Sequence, residues 1–243
     1  MTGAAADQPT RDSLARPVVP TTVAILGSGK LGTVMARLAV AAGQRVLVAG
    51  SGEPEAIRLI LTVVAPGAEP ARAVDAVEQA DVVVLALPLG KLPSVPVEAL
   101  RGEVVVDAMN YWWEVDGHRD DLDDPATSTS ELVQRHLSGS TVVKAFNHMG
   151  YHDLDEGPRP AGVPGRKAIA VAGDDAAAVA TVSALVDAWG FDPVRAGTLH
   201  DSIALQPHAE SFGANVEAGE LEAMLARFAA TERGAVVGAA RAR

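Results

Sequence analysis

A glycine motif, Gly27-Ser28-Gly29-Lys30-Leu31-Gly32, constrains the fold of this chain more than any other feature of its sequence. An apolar run over residues 22–26 precedes the motif and predicts a buried strand. Apolar residues then recur at helical spacing from Leu31 to Ala42 and stop at Gly43, which predicts a helix. A G-x-G-x-x-G between a strand and a helix is the arrangement in which backbone N–H groups bind a dinucleotide pyrophosphate. The alternative is a glycine turn that binds no ligand.

Further apolar runs alternate with helical or loop segments along the rest of the chain. They predict strands over residues 45–49, 81–87, 103–108, 140–146 and 167–172, and helices over 54–64 and 74–79. Parallel strands need right-handed crossovers, which place helices on both faces of the sheet. We therefore expect an α/β fold, a Rossmann-type doubly wound and mostly parallel sheet with a smaller C-terminal α/β or helical part.

Composition divides the chain into three segments. Residues 1–20 combine Ala, Pro, Thr and charge without periodicity, which predicts a disordered tail. Residues 21–146 form the predicted dinucleotide-binding domain, and residues 147–243 a smaller part that completes an acceptor cleft, with a soft boundary at the proline-rich stretch 156–165. An amphipathic helix near Leu221 is expected to close the core or a homodimer interface. The acidic stretch 116–130 is predicted to be a surface loop.

Composition also excludes several classes of function. The chain has no cysteine, which rules out disulfides, thiolate catalysis and cysteine-ligated metals. Its formal charge of -11 would repel a phosphate backbone, so we expect no nucleic-acid partner. No apolar stretch approaches the roughly 18 residues of a membrane helix, and no G-x-S-x-G motif supports a hydrolase. These absences predict a soluble, cytoplasmic protein that does not enter a membrane.

The end of the second strand bears on which dinucleotide is bound. An enzyme specific for NAD usually places an acidic residue there to bind the ribose hydroxyls. This chain has Gly50-Ser51-Gly52 instead, which favours NADP and places the Ser51 hydroxyl near the 2′-phosphate. Glu53 could serve the ribose of NAD, but we favour a role as the first-turn acid of the next helix. Arg58 could reach a phosphate, although a solvated helix position is the more ordinary interpretation.

Residues just after the other strands are the remaining candidates for the site, because ligands lie beyond the carboxyl ends of the strands. Leu87 and Pro88 follow one strand, Asn110 follows the next, and Asn147 and Met149 follow a third. The two asparagine amides could orient a carboxamide or a ring carbonyl. All five are predicted to contact a cofactor.

Aromatic residues concentrate in one of these loops. Tyr111, Trp112 and Trp113 directly follow Asn110. The cluster could form a wall for a flat ring, or it could anchor its own loop to the domain. Both interpretations stay open.

His148 lies at a predicted strand end and could act as a general acid, since imidazole titrates near neutrality. With His152 it also has the i, i+4 spacing of two metal ligands on a helix. No third ligand is evident and the Glu of an H-E-x-x-H motif is absent. We therefore expect no metal, and name His148 and Asn147 as the catalytic candidates.

The segments Gly27 to Gly32, Leu85-Ala86-Leu87-Pro88 and Val142-Val143-Lys144-Ala145-Phe146-Asn147, in this order, resemble the coenzyme F420-dependent NADP oxidoreductases. The resemblance implies hydride transfer between NADPH and a small-molecule acceptor, the deazaflavin coenzyme F420, in a homodimer. It implies that Ser51 contacts the 2′-phosphate and that Pro88, Asn147, His148 and Met149 border the ring cleft. The Lys-Ala-Phe-Asn segment also resembles the cytosolic NADPH-binding domain of transmembrane ferric reductases.

Two positions depart from the family's pattern. Gly52 stands where family members usually have arginine, and Asn147-His148 stands where they have histidine and threonine. Two alternatives therefore stay open. The first is an NADPH-dependent reductase of a free flavin or of a small imine or carbonyl compound. The second is a protein that senses NADP(H) without turnover.

Overall fold

A computed structural model of the chain describes residues 19–243. Its strands are β1 (Thr22–Leu26), β2 (Arg45–Ala49), β3 (Glu69–Pro70), β4 (Val82–Leu85), β5 (Val104–Asp107), β6 (Thr141–Ala145), β7 (Ala168–Gly173) and β8 (Asp192–Arg195). Its helices are α1 (Lys30–Ala41), α2 (Glu55–Val64), α3 (Ala73–Val77), α4 (Trp113–Asp116), α5 (Thr129–His136), α6 (Tyr151–Glu156), α7 (Ala176–Ala188), α8 (Ala218–Ala226) and α9 (Glu232–Arg241). Short 3-10 helices cover Leu89–Ser94, Asp201–Leu205 and Phe228–Ala230.

All eight strands form one sheet in the order β3-β2-β1-β4-β5-β6-β7-β8. β1 to β6 are parallel, and the strand order reverses between β1 and β4. The predicted Rossmann-type doubly wound fold is therefore confirmed. β7 runs antiparallel to β6, and β8 is parallel to β7. Only this reversal departs from a fully parallel sheet.

Two strands were not predicted, and both lie at the edges of the sheet. β3 ends at Pro70 and β8 contains Pro193, so neither has an apolar run of its own. Proline cannot donate to a strand ladder and is therefore tolerated at sheet edges. The periodicity that identifies buried strands carries no signal for such short edge strands.

Successive residues of each central strand pack on opposite faces of the sheet. In β1, Val23 and Ile25 pack with the residues of α1 and α7, while Ala24 and Leu26 pack with those of α3 and α5. The two faces meet different helices, as a doubly wound sheet requires. A buried hydrogen bond of 2.7 Å from the Trp189 indole to the Gln44 side chain joins the end of α7 to the turn before β2.

The C-terminal segment extends this sheet through β7 and β8. Leu221 of α8 is fully buried against Ala168 and Ala170 of β7 and Val194 of β8. The apolar stripe near Leu221 thus closes the core. The predicted homodimer and the boundary at residue 147 stay predictions.

Two residues within predicted irregular segments, Pro20 and Ser128, are buried. The disordered tail was predicted for residues 1–20, of which residues 1–18 lie outside the described part of the chain. The carbonyl oxygen of Pro20 accepts a hydrogen bond from the Gln44 side chain at 2.8 Å. The surface loop assigned to residues 116–130 ends earlier, because Ser128 caps α5 in a capping box and is buried. Within residues 19–243, no helix combines the length and apolarity that crossing a membrane requires.

The buried bond between Trp189 and Gln44 provides a test of this packing. We expect Trp189→Phe to lower the free energy of unfolding by about 1–3 kcal/mol, because the amide oxygen of Gln44 loses its buried donor. Urea unfolding followed by far-UV circular dichroism measures the change. Trp113→Phe is the matched control, since Trp113 is 53% exposed and its replacement should cost less than about 0.5 kcal/mol. Equal losses in the two variants would contradict the argument.

Candidate functional site

The glycine motif forms the turn between β1 and α1. Gly27 has a φ of 131°, and a side chain there would overlap the carbonyl oxygen of Ala86 at the end of β4. A side chain at Gly32 would overlap the carbonyl oxygen of Gly27. The Gly27 N–H donates to the Ala49 carbonyl at 2.8 Å, which joins the turn to the end of β2. These contacts hold the turn tightly between the carboxyl ends of β1, β2 and β4.

Gly29, in contrast, faces open space. Among the described residues, no atom lies within 4 Å of the position that a Cβ would take at Gly29. Helix α1 starts at the next residue, and no described side chain caps its N-terminus. The first N–H groups of a helix lack partners within the helix and carry partial positive charge. An open surface beside such an N-terminus fits a pyrophosphate.

Lys30 lies at this helix N-terminus and is exposed. Its ammonium donates to the Tyr151 hydroxyl at 3.2 Å and lies 5.3 Å from the centre of that ring. The contact joins the start of α1 to the start of α6.

An asparagine pair lies beyond the ends of β5 and β6. The Asn110 amide donates to the Asn147 backbone carbonyl at 2.8 Å, and the Asn147 amide donates to the Asn110 side-chain oxygen at 3.0 Å and to the Leu205 carbonyl at 2.8 Å. The Asn147 side-chain oxygen is buried without a hydrogen-bond partner in the described part of the chain. A buried acceptor without a partner is costly. The structure thus brings both predicted asparagines together around one buried acceptor that no described group satisfies.

A buried ion pair between Asp107 of β5 and Lys144 of β6 lies next to the asparagine pair. The Lys144 ammonium donates to the Asp107 carboxylate at 3.1 Å and to the Met109 carbonyl at 2.6 Å, and both side chains are fully buried. Asp107 also accepts from the Ser130 hydroxyl and the Met109 N–H. Burial lowers the pKa of Lys144, and the charge of Asp107 opposes that shift. This pair was not predicted, although a lone charge inside each of two apolar runs of the sequence is a signal for it.

Phe146 connects β6 to Asn147 through a strained backbone. Its φ is 64°, in the left-handed region that residues other than glycine rarely adopt, at a cost of about 1–3 kcal/mol. The ring is fully buried, with its centre 4.9 Å from that of Trp189. Packing thus holds a turn that no pattern in the sequence indicates.

The proposed catalytic role of His148 needs correction. His148 is 1% exposed, and its Nε2 accepts a hydrogen bond from the Ala170 N–H at 3.0 Å. Burial lowers its pKa to about 4, so the ring is neutral near pH 7 and Nε2 carries no proton to donate. His148 therefore belongs to the interior beside β7. Met149 packs in an apolar core cluster of the protein, and its predicted contact with a cofactor stays a prediction.

The paired spacing of His148 and His152 does not produce a metal site. His152 is exposed and its ring lies 4.2 Å from that of Tyr151, whereas His148 is buried. Within the described residues, no group of three or more His, Asp or Glu side chains could hold a metal ion.

The ends of β2 and β4 frame the rest of the glycine turn. Ser51 is exposed immediately after β2, and Leu87 and Pro88 lie half-buried and exposed after β4. Glu53 pairs with Arg72 at 2.7 Å, which the sequence did not indicate. Arg58 pairs with Glu55 of its own helix, in keeping with a surface position.

Of the two roles that the sequence left open for the aromatic loop, the structure shows the anchoring of the loop, and the wall for a flat ring stays a prediction. The Tyr111 hydroxyl donates to the Gly117 carbonyl and accepts from the Arg119 N–H, both at 2.9 Å, so Tyr111 anchors the loop. Trp112 is 43% exposed and meets the Phe212 ring edge-on at 5.6 Å. A cavity of about 220 Å³ is lined by residues that include Trp112, Trp113, Gln206 and Arg233. Two of its lining residues, Trp112 and Gln206, closely follow in sequence the hydrogen-bond partners of Asn147, which are Asn110 and Leu205.

Comparison with known proteins gives consistent matches. The sequence model of the family NADP oxidoreductase, coenzyme F420-dependent, matches residues 22–111. YjhV of Escherichia coli (strain K12) is 40% identical over 101 residues, which cover 42% of this chain and 68% of that protein. Metalloreductase STEAP3 of Rattus norvegicus is 32% identical over 178 residues, which are 73% of this chain, and the chain spans only 34% of the rat protein. A crystal structure from Arthrobacter sp. FB24, provisionally described as an F420-dependent NADP reductase, matches with a TM-score of 0.61 and 26% identity, covering 75% of this chain and 89% of that one.

The open surface at Gly29 predicts a variant that separates binding from folding. Gly29→Ala should leave the melting temperature nearly unchanged, because its methyl group meets no described atom. It should weaken NADPH binding about tenfold or more, because the methyl group occupies the space where the pyrophosphate approaches the backbone. Isothermal titration calorimetry measures the affinity. Gly219→Ala in α8, where a methyl group also meets no described atom, should leave the affinity unchanged and raise the melting temperature slightly, because alanine favours a helix. Unchanged affinity in Gly29→Ala would contradict this site.

Burial of neutral His148 predicts a loss of stability in mild acid. The unfolded chain binds a proton below about pH 6.5, whereas the folded protein does so only near pH 4. The free energy of unfolding should therefore fall by about 2 kcal/mol as the pH drops from 7.5 to 5. Urea titrations at several pH values measure this fall. His148→Gln should flatten the dependence and His152→Gln should keep it; equal slopes in the wild type and His148→Gln would contradict the assignment.

Proposed function

The chain belongs to the family of coenzyme F420-dependent NADP oxidoreductases, and from that premise we propose that it transfers a hydride between NADPH and coenzyme F420. The observation that carries the proposal is the open N-terminus of α1 at Gly29, on the same side of the sheet as the buried Asn147 oxygen that has no partner among the described residues. Together they offer one site for a pyrophosphate and one for a carboxamide. A nicotinamide dinucleotide can be held by its central pyrophosphate together with the carboxamide at its nicotinamide end.

The residues of the site divide between the two ends of the dinucleotide. In our proposal the turn from Gly27 to Gly32 binds the pyrophosphate and Ser51 contacts the adenosine ribose or its phosphate. Leu87 and Pro88 border the passage between the two halves. The asparagine pair would orient the nicotinamide through its carboxamide, since Asn147 retains a free buried acceptor. Bound NADPH supplies the hydride for the reaction.

The acceptor would enter through the cavity beside the aromatic loop. Trp112 offers an exposed aromatic surface there, anchored by its contact with Phe212. Reduction of the deazaflavin consumes NADPH and one proton and yields NADP⁺ and the reduced deazaflavin. With His148 buried, the protein's contribution is alignment of two flat rings and exclusion of water, and the proton comes from solvent.

Stopped-flow absorbance of NADPH oxidation tests the proposal. With coenzyme F420 as acceptor, we expect the nicotinamide and deazaflavin bands to disappear together. Parallel reactions with FMN and without an acceptor identify the alternatives. Oxidation with FMN alone would favour the free-flavin reductase, and tight NADPH binding without oxidation would favour a sensing role. Either of these results would overturn deazaflavin transfer.

The acceptor side also predicts a specific variant. Trp112→Ala should raise the KM for coenzyme F420 about fivefold while the KM for NADPH stays unchanged, because an aromatic contact contributes about 1 kcal/mol. Steady-state kinetics with each substrate varied in turn measure this split. Val115→Ala is the control, since Val115 belongs to the same loop, is 66% exposed and does not line the cavity. A rise in the KM for NADPH instead would place Trp112 on the nucleotide side.

A further inference from the structure

We propose that Arg72, on the loop after β3, binds the 2′-phosphate of NADPH, and that Glu53 is its counter-charge in the free protein. The pair then sets the preference between NADP and NAD, a role that the family's usual arginine at position 52 cannot fill here because that residue is glycine. This inference rests on the proposed function, since it assumes a dinucleotide on the glycine turn.

Strand pairing places Arg72 at the edge of the sheet where the adenosine half would lie. β3 runs parallel to β2, with Val48 opposite Pro70. The Ala71 N–H continues the ladder by donating to the Val48 carbonyl at 2.9 Å. Arg72 therefore lies just past the end of β3, beside the residues just past the end of β2, which include Ser51. Arg72 and Glu53, 19 residues apart in sequence, meet because the sheet brings the two strand ends together.

The contacts of Arg72 leave its guanidinium group available. Its Nη2 donates to the Glu53 carboxylate at 2.7 Å, and both side chains are more than 60% exposed. Among the described residues, no other hydrogen bond from this guanidinium is present. An exposed pair of this kind contributes at most about 1 kcal/mol, so a phosphate can displace it readily. The guanidinium fork then has donors for two phosphate oxygens.

Neighbouring arginines are less suited to this role. Arg58 is held by both oxygens of Glu55, each at 2.7 Å, within its own helix. Arg45 binds both oxygens of Glu69 and lies at the start of β2, at the amino ends of the strands and away from the glycine turn. Of these three arginines, Arg72 lies at the carboxyl ends of the strands and makes the fewest hydrogen bonds within the protein.

Space and charge around Ser51 agree with this assignment. No described atom lies within 4 Å of the position that a Cβ would take at Gly52, so the surface beside Ser51 is open. Glu53 is the acidic residue nearest the position where NAD-specific proteins bind the ribose hydroxyls. Because its carboxylate is paired with Arg72, Glu53 does not bind the ribose hydroxyls in this proposal.

Binding of adenosine fragments tests the inference apart from turnover. Calorimetry with 2′,5′-ADP and 5′-AMP isolates the contribution of the 2′-phosphate. Arg72→Gln should weaken 2′,5′-ADP binding about tenfold, as expected for loss of a charged hydrogen bond, and change 5′-AMP binding less than about twofold. Arg58→Gln, the matched control, should change neither. Equal weakening of both ligands in Arg72→Gln, or no weakening of 2′,5′-ADP, would overturn the inference.

A second variant tests the role of the carboxylate. Glu53→Gln should leave 5′-AMP and NAD⁺ binding unchanged and strengthen 2′,5′-ADP binding, since it removes a negative charge beside the phosphate. Weaker NAD⁺ binding in Glu53→Gln would show that the carboxylate binds the ribose, which contradicts the proposal.

Wild-type binding separates this inference from the proposed function. If the wild type binds neither NADP⁺ nor NAD⁺, both fail. If it prefers NADP⁺ and Arg72→Gln keeps that preference, only the role of Arg72 fails. If the wild type prefers NAD⁺, the inference also fails, while the fold and the glycine turn keep their assignment. Both side chains are exposed, so circular dichroism should show the same folded state in every variant.

Discussion

The site depends on the buried ion pair between Lys144 and Asp107. Charges without access to water are tolerated only when partners satisfy them, and here the Met109 backbone and the Ser130 hydroxyl complete the set. The pair joins the ends of β5 and β6 and holds the chain that leads to Asn110. The asparagine pair is therefore held in place, because the charges of Lys144 and Asp107 would lose their partners if this part of the chain moved. An apolar pair of similar volume would fill the space without imposing that geometry.

Much of the fold could be predicted because buried strands and helices leave periodic patterns. The bounds of β1 and β2 match the prediction, and α1 ends one residue before its predicted limit, since glycine and apolar spacing mark all three. The edge strands β3 and β8 could not be predicted, because half-exposed strands containing proline have no such pattern. The antiparallel direction of β7 was equally inaccessible, since an apolar run reads the same in either direction.

The residues of the candidate site could also be predicted only in part. The glycine turn and the two asparagines could be located because both follow strand ends. The error at His148 arose because proximity to a strand end does not reveal the direction of a side chain, and the left-handed Phe146 alters the course of the chain just before it. Arg72 required knowledge that β3 pairs with β2. The sequence thus indicates which residues lie at the carboxyl ends of the strands. Strand pairing and the backbone conformation of the turns determine which of these residues face one another.

The antiparallel β7 has a consequence for the order of folding. The Gly27 turn bonds to the end of β2 through its N–H and the Ala49 carbonyl, which are close in sequence compared with the contacts on the other side of the site. The far wall of the site depends on loops that must cross back over the reversed strand, and the bond from Asn147 to Leu205 spans 58 residues. Closing longer loops costs more chain entropy and slows folding. The contact between the Gly27 turn and β2 is therefore expected to form early during folding, and the contacts around Asn147 to be completed later.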